Sequence, residues 1–138
     1  MSAKKMMIIS TTILLPTLLI LISIMSVVHL YPEQVSAQTQ IKASILPGAS
    51  TMGDKAFSPN PLNIKVGDSI TWTNNDSTVH TVTSGTGPTD PNMGKEFDSG
   101  LSTFMSPGDT FSFTFSKAGE FPYFCAVHPP MIGTVVVS

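Results

Sequence analysis

Thr110-Phe111-Ser112-Phe113-Thr114-Phe115-Ser116 (TFSFTFS) alternates without a break between phenylalanine and a hydroxyl residue. Successive side chains of an extended chain point to opposite faces. The stretch therefore predicts a strand with an aromatic face on a core and a hydroxyl face in water. Working outward, Leu62-Asn63-Ile64-Lys65-Val66 alternates in the same way, and so does Ile70-Thr71-Trp72-Thr73 beyond a Gly67-Asp68 turn. Val79–Thr83, Glu120–Cys125 and Ile132–Val137 read as further strands, with Ile41–Leu46 as the first. Between them stand turn-forming runs: Pro59-Asn60-Pro61, Asn74-Asn75-Asp76, Gly85-Thr86-Gly87-Pro88, Ser106-Pro107-Gly108-Asp109 and Ala118-Gly119. Residues 86–100 read as a long polar loop with one short strand around Lys95–Asp98. About seven short strands at this spacing predict an all-β domain, an antiparallel sandwich or small barrel.

The first third of the 138 residues reads differently. Met6 to Leu30 is almost wholly apolar and follows Lys4 and Lys5. Such a run suffices to cross a bilayer, which takes about 20 apolar residues. Residues 1–37 are expected to be a signal peptide, cleaved after Val35-Ser36-Ala37, or an uncleaved anchor helix. The apolar run exceeds the ~7–15 residues of an ordinary signal core. On either reading the lysines stay inside, and the domain formed by residues 38–138 lies outside the cytoplasm. His29 ends the apolar run and is read as an interfacial residue without a ligand role.

From Ile41 onward five lysines face eight carboxylates, with no arginine and no basic cluster. Nucleic-acid binding requires a basic face to neutralise phosphates, so that class is set aside.

Cys125 is the only cysteine and cannot form an internal disulfide. It is a buried inert thiol, an intermolecular partner or a metal ligand. It ends a strand, and the short loop before the next strand carries His128 and Met131. Thiolate, imidazole and thioether together suit copper better than calcium or magnesium. The domain holds one other histidine, His80, after the Asn74–Asp76 turn. If the sandwich brings these strand ends to one pole, His80, Cys125 and His128 form a trigonal His₂Cys set with Met131 as weak axial ligand.

The motifs VGDSITWTNNDSTVHTV around His80 and FSFTFSKAGEFPYFCAVHPPM around the other three resemble a cupredoxin of the plastocyanin/amicyanin group over most of residues 41–138. The resemblance implies an eight-stranded Greek-key β-sandwich, one type 1 copper ion and one-electron transfer as the activity. It likewise implies His80, Cys125, His128 and Met131 as ligands. The two residues between His128 and Met131 are similar to amicyanin's short spacing rather than to the longer interval of plastocyanins. Two departures stand out. Thr81 follows the first histidine where the family commonly has an asparagine that orders the ligand loops. Pro130 replaces a larger side chain and stiffens the loop.

The expected function is that of a blue copper electron carrier outside the cytoplasm. It works as a monomer between redox protein donors and acceptors, and is held to the membrane through residues 6–30 if these are retained. Copper storage or delivery would use the same ligands, but need not support reversible one-electron turnover. A structural zinc site would lack the intense visible Cu(II)–thiolate band. A Cys–His hydrolase would need a free thiolate and a third orienting residue, and none stands out. No enzymatic activity is expected. Trp72 and the phenylalanines read as core packing rather than an electron relay. Met52, Met93 and Met105 are too dispersed for a copper-trafficking motif.

Overall fold

The structure, a computed structural model, describes residues 37–138. The expected N-terminal signal or anchor helix lies outside the described residues, and no helix among them is long and apolar enough to cross a membrane. The described chain is all-β: β1 (Gln40–Ile45), β2 (Phe57–Ser58), β3 (Leu62–Ile64), β4 (Ser69–Asn74), β5 (Thr83–Ser84), β6 (Thr110–Thr114), β7 (Gly119–Phe124) and β8 (Ile132–Val137). Two 3₁₀ turns, Ala49–Thr51 and Gly53–Lys55, separate β1 from β2. The strands form two four-stranded sheets, ordered β2-β1-β4-β6 and β3-β8-β7-β5.

Both sheets are mixed, where the strand pattern predicted an antiparallel arrangement. β1 runs parallel to β4, with Ala43 beside Trp72, and β3 runs parallel to β8, with Leu62 beside Val135. Side-chain alternation has period 2 in either kind of pairing and so carries no information about strand direction. The long connections from β1 to β4 and from β3 to β8 provide the crossovers that parallel pairs require.

Other differences trace to local chemistry. Val79–Thr83 is not a continuous strand: His80 forms a single bridge with Met105, and β5 begins only at Thr83. The preceding turn is fastened by its own side chains, since Asn74 Oδ1 accepts from Asp76 N and Asn74 Nδ2 donates to Thr78 O. Such side-chain bonds compete with a ladder. The strand expected near Lys95–Asp98 reduces to one bridge between Asp98 and Thr83. Phe111 and Phe113 face inward as predicted but are only half-buried, because β6 is the edge of its sheet; Phe115 just beyond it is fully enclosed.

Between the sheets, Trp72 is wholly buried and stacks on Phe97 and Phe111 at centroid distances of 5.9 and 5.8 Å. Tyr123 meets it edge-on at 5.6 Å, with the indole N–H donating to the phenolic oxygen at 3.4 Å. Burying each large apolar side chain of this kind is worth about 1.5–3 kcal/mol. Gly133 lies opposite Tyr123 in the β7–β8 pair, where a Cβ would come within 2.3 Å of the phenol ring. The site is positioned by this pair: β7 delivers Cys125 immediately after Phe124, and β8 resumes at Ile132.

Candidate metal centre

The loop from Cys125 to Met131 is tied by three backbone hydrogen bonds among the three residues the sequence singled out. His128 N donates to Cys125 O (3.2 Å), Met131 N to His128 O (2.9 Å) and Cys125 N to Met131 O (3.0 Å). The Cys-x-x-His-x-x-Met spacing thus makes two successive turns closed into a ring. Pro129 and Pro130 lie at exposed positions whose missing N–H groups the ring does not need.

His80 reaches the loop from 45 residues before Cys125. Its backbone exchanges two hydrogen bonds with Met105, at 3.1 and 2.8 Å. Its ring Nε2 lies 2.8 Å from Asp76 Oδ2 and 3.1 Å from Thr78 Oγ1. A carboxylate only accepts, so Nε2 carries the hydrogen and Nδ1 presents its lone pair. That Nδ1 stands 3.7 Å from Cys125 Sγ and 3.2 Å from His128 Nδ1; the His128 Nδ1–Sγ distance is 3.8 Å. Bonds of about 2.0 Å to nitrogen and 2.3 Å to sulfur, at about 120°, separate N and S by roughly 3.7 Å. The three donors therefore fit around one ion. The sulfur's remaining partner is the Thr81 N–H, at 3.3 Å.

His80, Cys125 and Met131 are fully buried and His128 is partly exposed. Burial, reinforced by the adjacent His80, holds the His128 imidazole below its ordinary pKa of 6.5 and favours the neutral ligand form.

Asp76, which the sequence placed only in a turn, and Thr81, which it marked as a departure from the family pattern, both bond to the converging side chains. Asp76 is buried and accepts from Gly48 N (2.9 Å), Ser77 N (2.8 Å), Thr78 Oγ1 (3.1 Å) and His80. The Gly48 amide and then the His80 ring hold its carboxyl well below the usual carboxylate range. The available signal was its position, four residues before His80 in a turn. Thr81, which stands in place of the usual asparagine, joins the two ligand loops through both its N–H to Cys125 Sγ and its hydroxyl, which accepts from Ala126 N at 2.7 Å.

A mixed β-sandwich with two histidines and one cysteine converging at one pole defines the cupredoxin class. Residues 47–138 match the family described as copper binding proteins, plastocyanin/azurin family, and the chain belongs to that family. Its cofactor is copper, one type 1 ion, for which His80, Cys125 and His128 are arranged as a metal site. The chloroplastic plastocyanin of Tetradesmus obliquus is 33% identical over 98 residues, covering 70% of this chain and 67% of the relative. Amicyanin of Paracoccus denitrificans is 37% identical over 77 residues, 56% of this chain and 54% of the relative. Among solved structures, a purple cupredoxin from Nitrosopumilus maritimus superposes with a TM-score of 0.57 at 33% identity, covering 71% of this chain and 99% of that one.

Proposed function

We propose that the protein is a one-electron carrier working outside the cytoplasm between redox proteins, with His80, Cys125 and His128 as equatorial copper ligands and Met131 as the axial one. The observation that carries this reading is the convergence of two imidazole Nδ1 atoms and one thiol sulfur, each within 3.8 Å of the others. Copper bound there supplies a one-electron Cu(II)/Cu(I) couple.

The protein's part is to hold the donors in an arrangement that neither oxidation state must rebuild. Asp76 fixes the tautomer and orientation of the His80 ring and strengthens it as a donor. The Thr81 amide stabilises negative charge on the Cys125 sulfur. The backbone ring keeps Cys125, His128 and Met131 at constant spacing. His128, the partly exposed ligand, is the edge through which an electron enters and leaves. With Met131 as a fourth donor the set would leave no coordination position for a substrate, which favours a carrier over an enzyme. Residues 38–138 act as the carrier domain, a monomer. Residues 1–37 serve as its export signal or anchor, and intact-mass measurement on protein from its native host distinguishes these two fates.

The test is the visible spectrum of the copper-loaded protein, followed by voltammetry. An intense Cu(II)–thiolate band that Cys125→Ala abolishes, together with reversible one-electron reduction, is the expected result. Absence of the band removes the copper–thiolate centre from the reading; a band without reversible reduction points to copper storage or delivery.

A further inference from the structure

Each sheet has two edges, and the chain blunts three of the four. β2 and β5 are two residues long and β3 is three. Pro59 follows β2 and Pro61 precedes β3. β5 is covered by the Asp98 segment, with Thr83 bridged to Asp98 and Ser84 N donating to Phe97 O at 3.0 Å. Short strands, prolines and a covering loop all keep a free edge from pairing with another chain. β6 has none of these. It runs five residues, Thr110–Thr114, without a charge, a proline or a glycine, and among the described residues it is paired on one side only.

The direction of its free backbone groups follows from its bonds to β4. At the two ends of the strand, Asn74 N donates to Asp109 O and Phe115 N donates to Asp68 O, at 2.9 and 3.0 Å. Backbone groups alternate in direction along a strand of an antiparallel ladder, so Phe111 and Phe113 also turn theirs toward β4. Thr110, Ser112 and Thr114 turn theirs to the open edge, and all three residues are exposed. Phe111 and Phe113 point to the core but remain half-buried.

We infer that β6 is a self-pairing edge whose partner is the β6 of a second copy of this chain. What selects a second copy is the order of residues: Thr-Phe-Ser-Phe-Thr reads the same in both directions about Ser112. A two-fold axis through Ser112 sets the strand antiparallel to itself, and a closed dimer of this kind uses the same patch on both copies. Ser112 then exchanges two backbone bonds with the partner's Ser112, and Thr110 does so with the partner's Thr114. Phe111 comes opposite the partner's Phe113 at a position without backbone bonds, where Cα atoms approach to about 4.5 Å. Aromatic pairs and hydroxyl pairs across strands are both favourable. Pairing covers the exposed flank of the phenylalanines and joins the two four-stranded sheets edge to edge.

The metal site stays accessible. The Thr110 end of β6 is the end beside it, since Thr110 lies opposite Thr73, Asn74 Nδ2 donates to Met105 O, and Met105 is bridged to His80. Antiparallel pairing therefore turns the two sites to opposite ends of the dimer. Each copy keeps its own ligands, so the single domain remains the carrier unit, and pairing is a second state entered as concentration rises.

The experiment is sedimentation equilibrium of the full chain over a range of concentrations, with amide hydrogen exchange on the zinc-loaded protein. The wild-type mass should rise toward twice that of one chain. Exchange at Ser112 and Thr114 should slow with concentration, and change less at Phe111 and Phe113, which are already bonded to β4. Ser112→Lys and Ser112→Asp each set like charges opposite one another at the axis and should weaken association about fivefold or more. Both give up only the bond from Ser112 to Thr71 Oγ1 on the outer face, so their near-ultraviolet circular dichroism should match the wild type. An equal mixture of the two variants carries opposite charges at the axis and should associate at least as tightly as the wild type. A wild-type chain that stays a single copy at every concentration overturns the inference. So does association that neither charged variant weakens, or a mixture no tighter than either variant alone, since the contact then lies elsewhere. Growth beyond twice the chain mass overturns it as well, because a two-fold axis closes after two copies.

Discussion

At the residue scale, the centre depends on which groups surround the ligands as much as on the ligands. Asp76 holds a negative charge 2.8 Å from the back of the His80 ring. Asp76→Asn keeps the size but loses the charge, and should raise the reduction potential while costing about 1.5–3 kcal/mol, the usual worth of bonds to a charged group. Its pH signature has a definite sign. The folded-state pKa lies below the unfolded value near 3.8, so the stabilisation is complete at neutral pH and is lost as pH falls below that value toward the folded pKa. Urea unfolding of the metal-free chain at pH 7 and pH 3 should show a steeper acid loss in the wild type than in Asp76→Asn; equal losses would mean the carboxylate adds nothing to the fold. Met131→Leu should keep the visible band and raise the potential, as expected when a weak axial donor is removed. An unchanged potential would exclude Met131 as axial ligand. The grouping of His80, Cys125 and His128 was legible because the domain offers one cysteine and two histidines, leaving few ways to combine them. The role of Asp76 was not legible, because it depends on where a turn aims an oxygen and not on which residue types are present; the Thr81 position was marked by the resemblance, but not the bonds a threonine makes there.

At the element scale, period-2 patterning located β4, β6, β7 and β8 closely, and the predicted Ile132–Val137 coincides with β8. It failed where side-chain chemistry replaces a ladder. The Asn74–Asp76 turn bonds to itself and leaves His80 with a single bridge, which suits a ligand that must face the pole rather than continue along a sheet. Parallel pairing was invisible for the reason that alternation ignores direction. In the β7–β8 pair, Gly133 leaves no room for a Cβ against the Tyr123 ring. Gly133→Ala drives a methyl into the phenol ring within a packed core, and such overpacking costs about 1–3 kcal/mol. For a domain of about a hundred residues each kcal/mol lowers Tm by roughly 4–8 °C, which a thermal melt of the variant would register. A melt unchanged from wild type would mean the Tyr123 ring can shift aside at this point without cost.

At the scale of the whole molecule, the relation between metal and fold can be argued from what holds the donors. Very small metal domains unfold without their ion because they have too little core to order the ligands. Here the donors are fixed by groups that owe nothing to an ion: the backbone ring from Cys125 to Met131, the Met105 bridge to His80 and the Asp76 clamp. Beneath them lies a core that encloses Trp72, Ile70, Tyr123 and Val135 almost completely. The metal-free chain should therefore keep its sheets and its near-ultraviolet circular dichroism, with Trp72 still held between aromatic neighbours. Copper should then stabilise by mass action, by about 4 kcal/mol when free metal is a thousandfold above Kd. At this domain size that corresponds to a rise in Tm of roughly 15–30 °C. Removal and return of copper should cycle the Tm and the colour together while the far-ultraviolet spectrum stays constant. If chelation instead abolishes the near-ultraviolet signal, the metal is organising the sandwich, and the donor arrangement is its consequence rather than its cause.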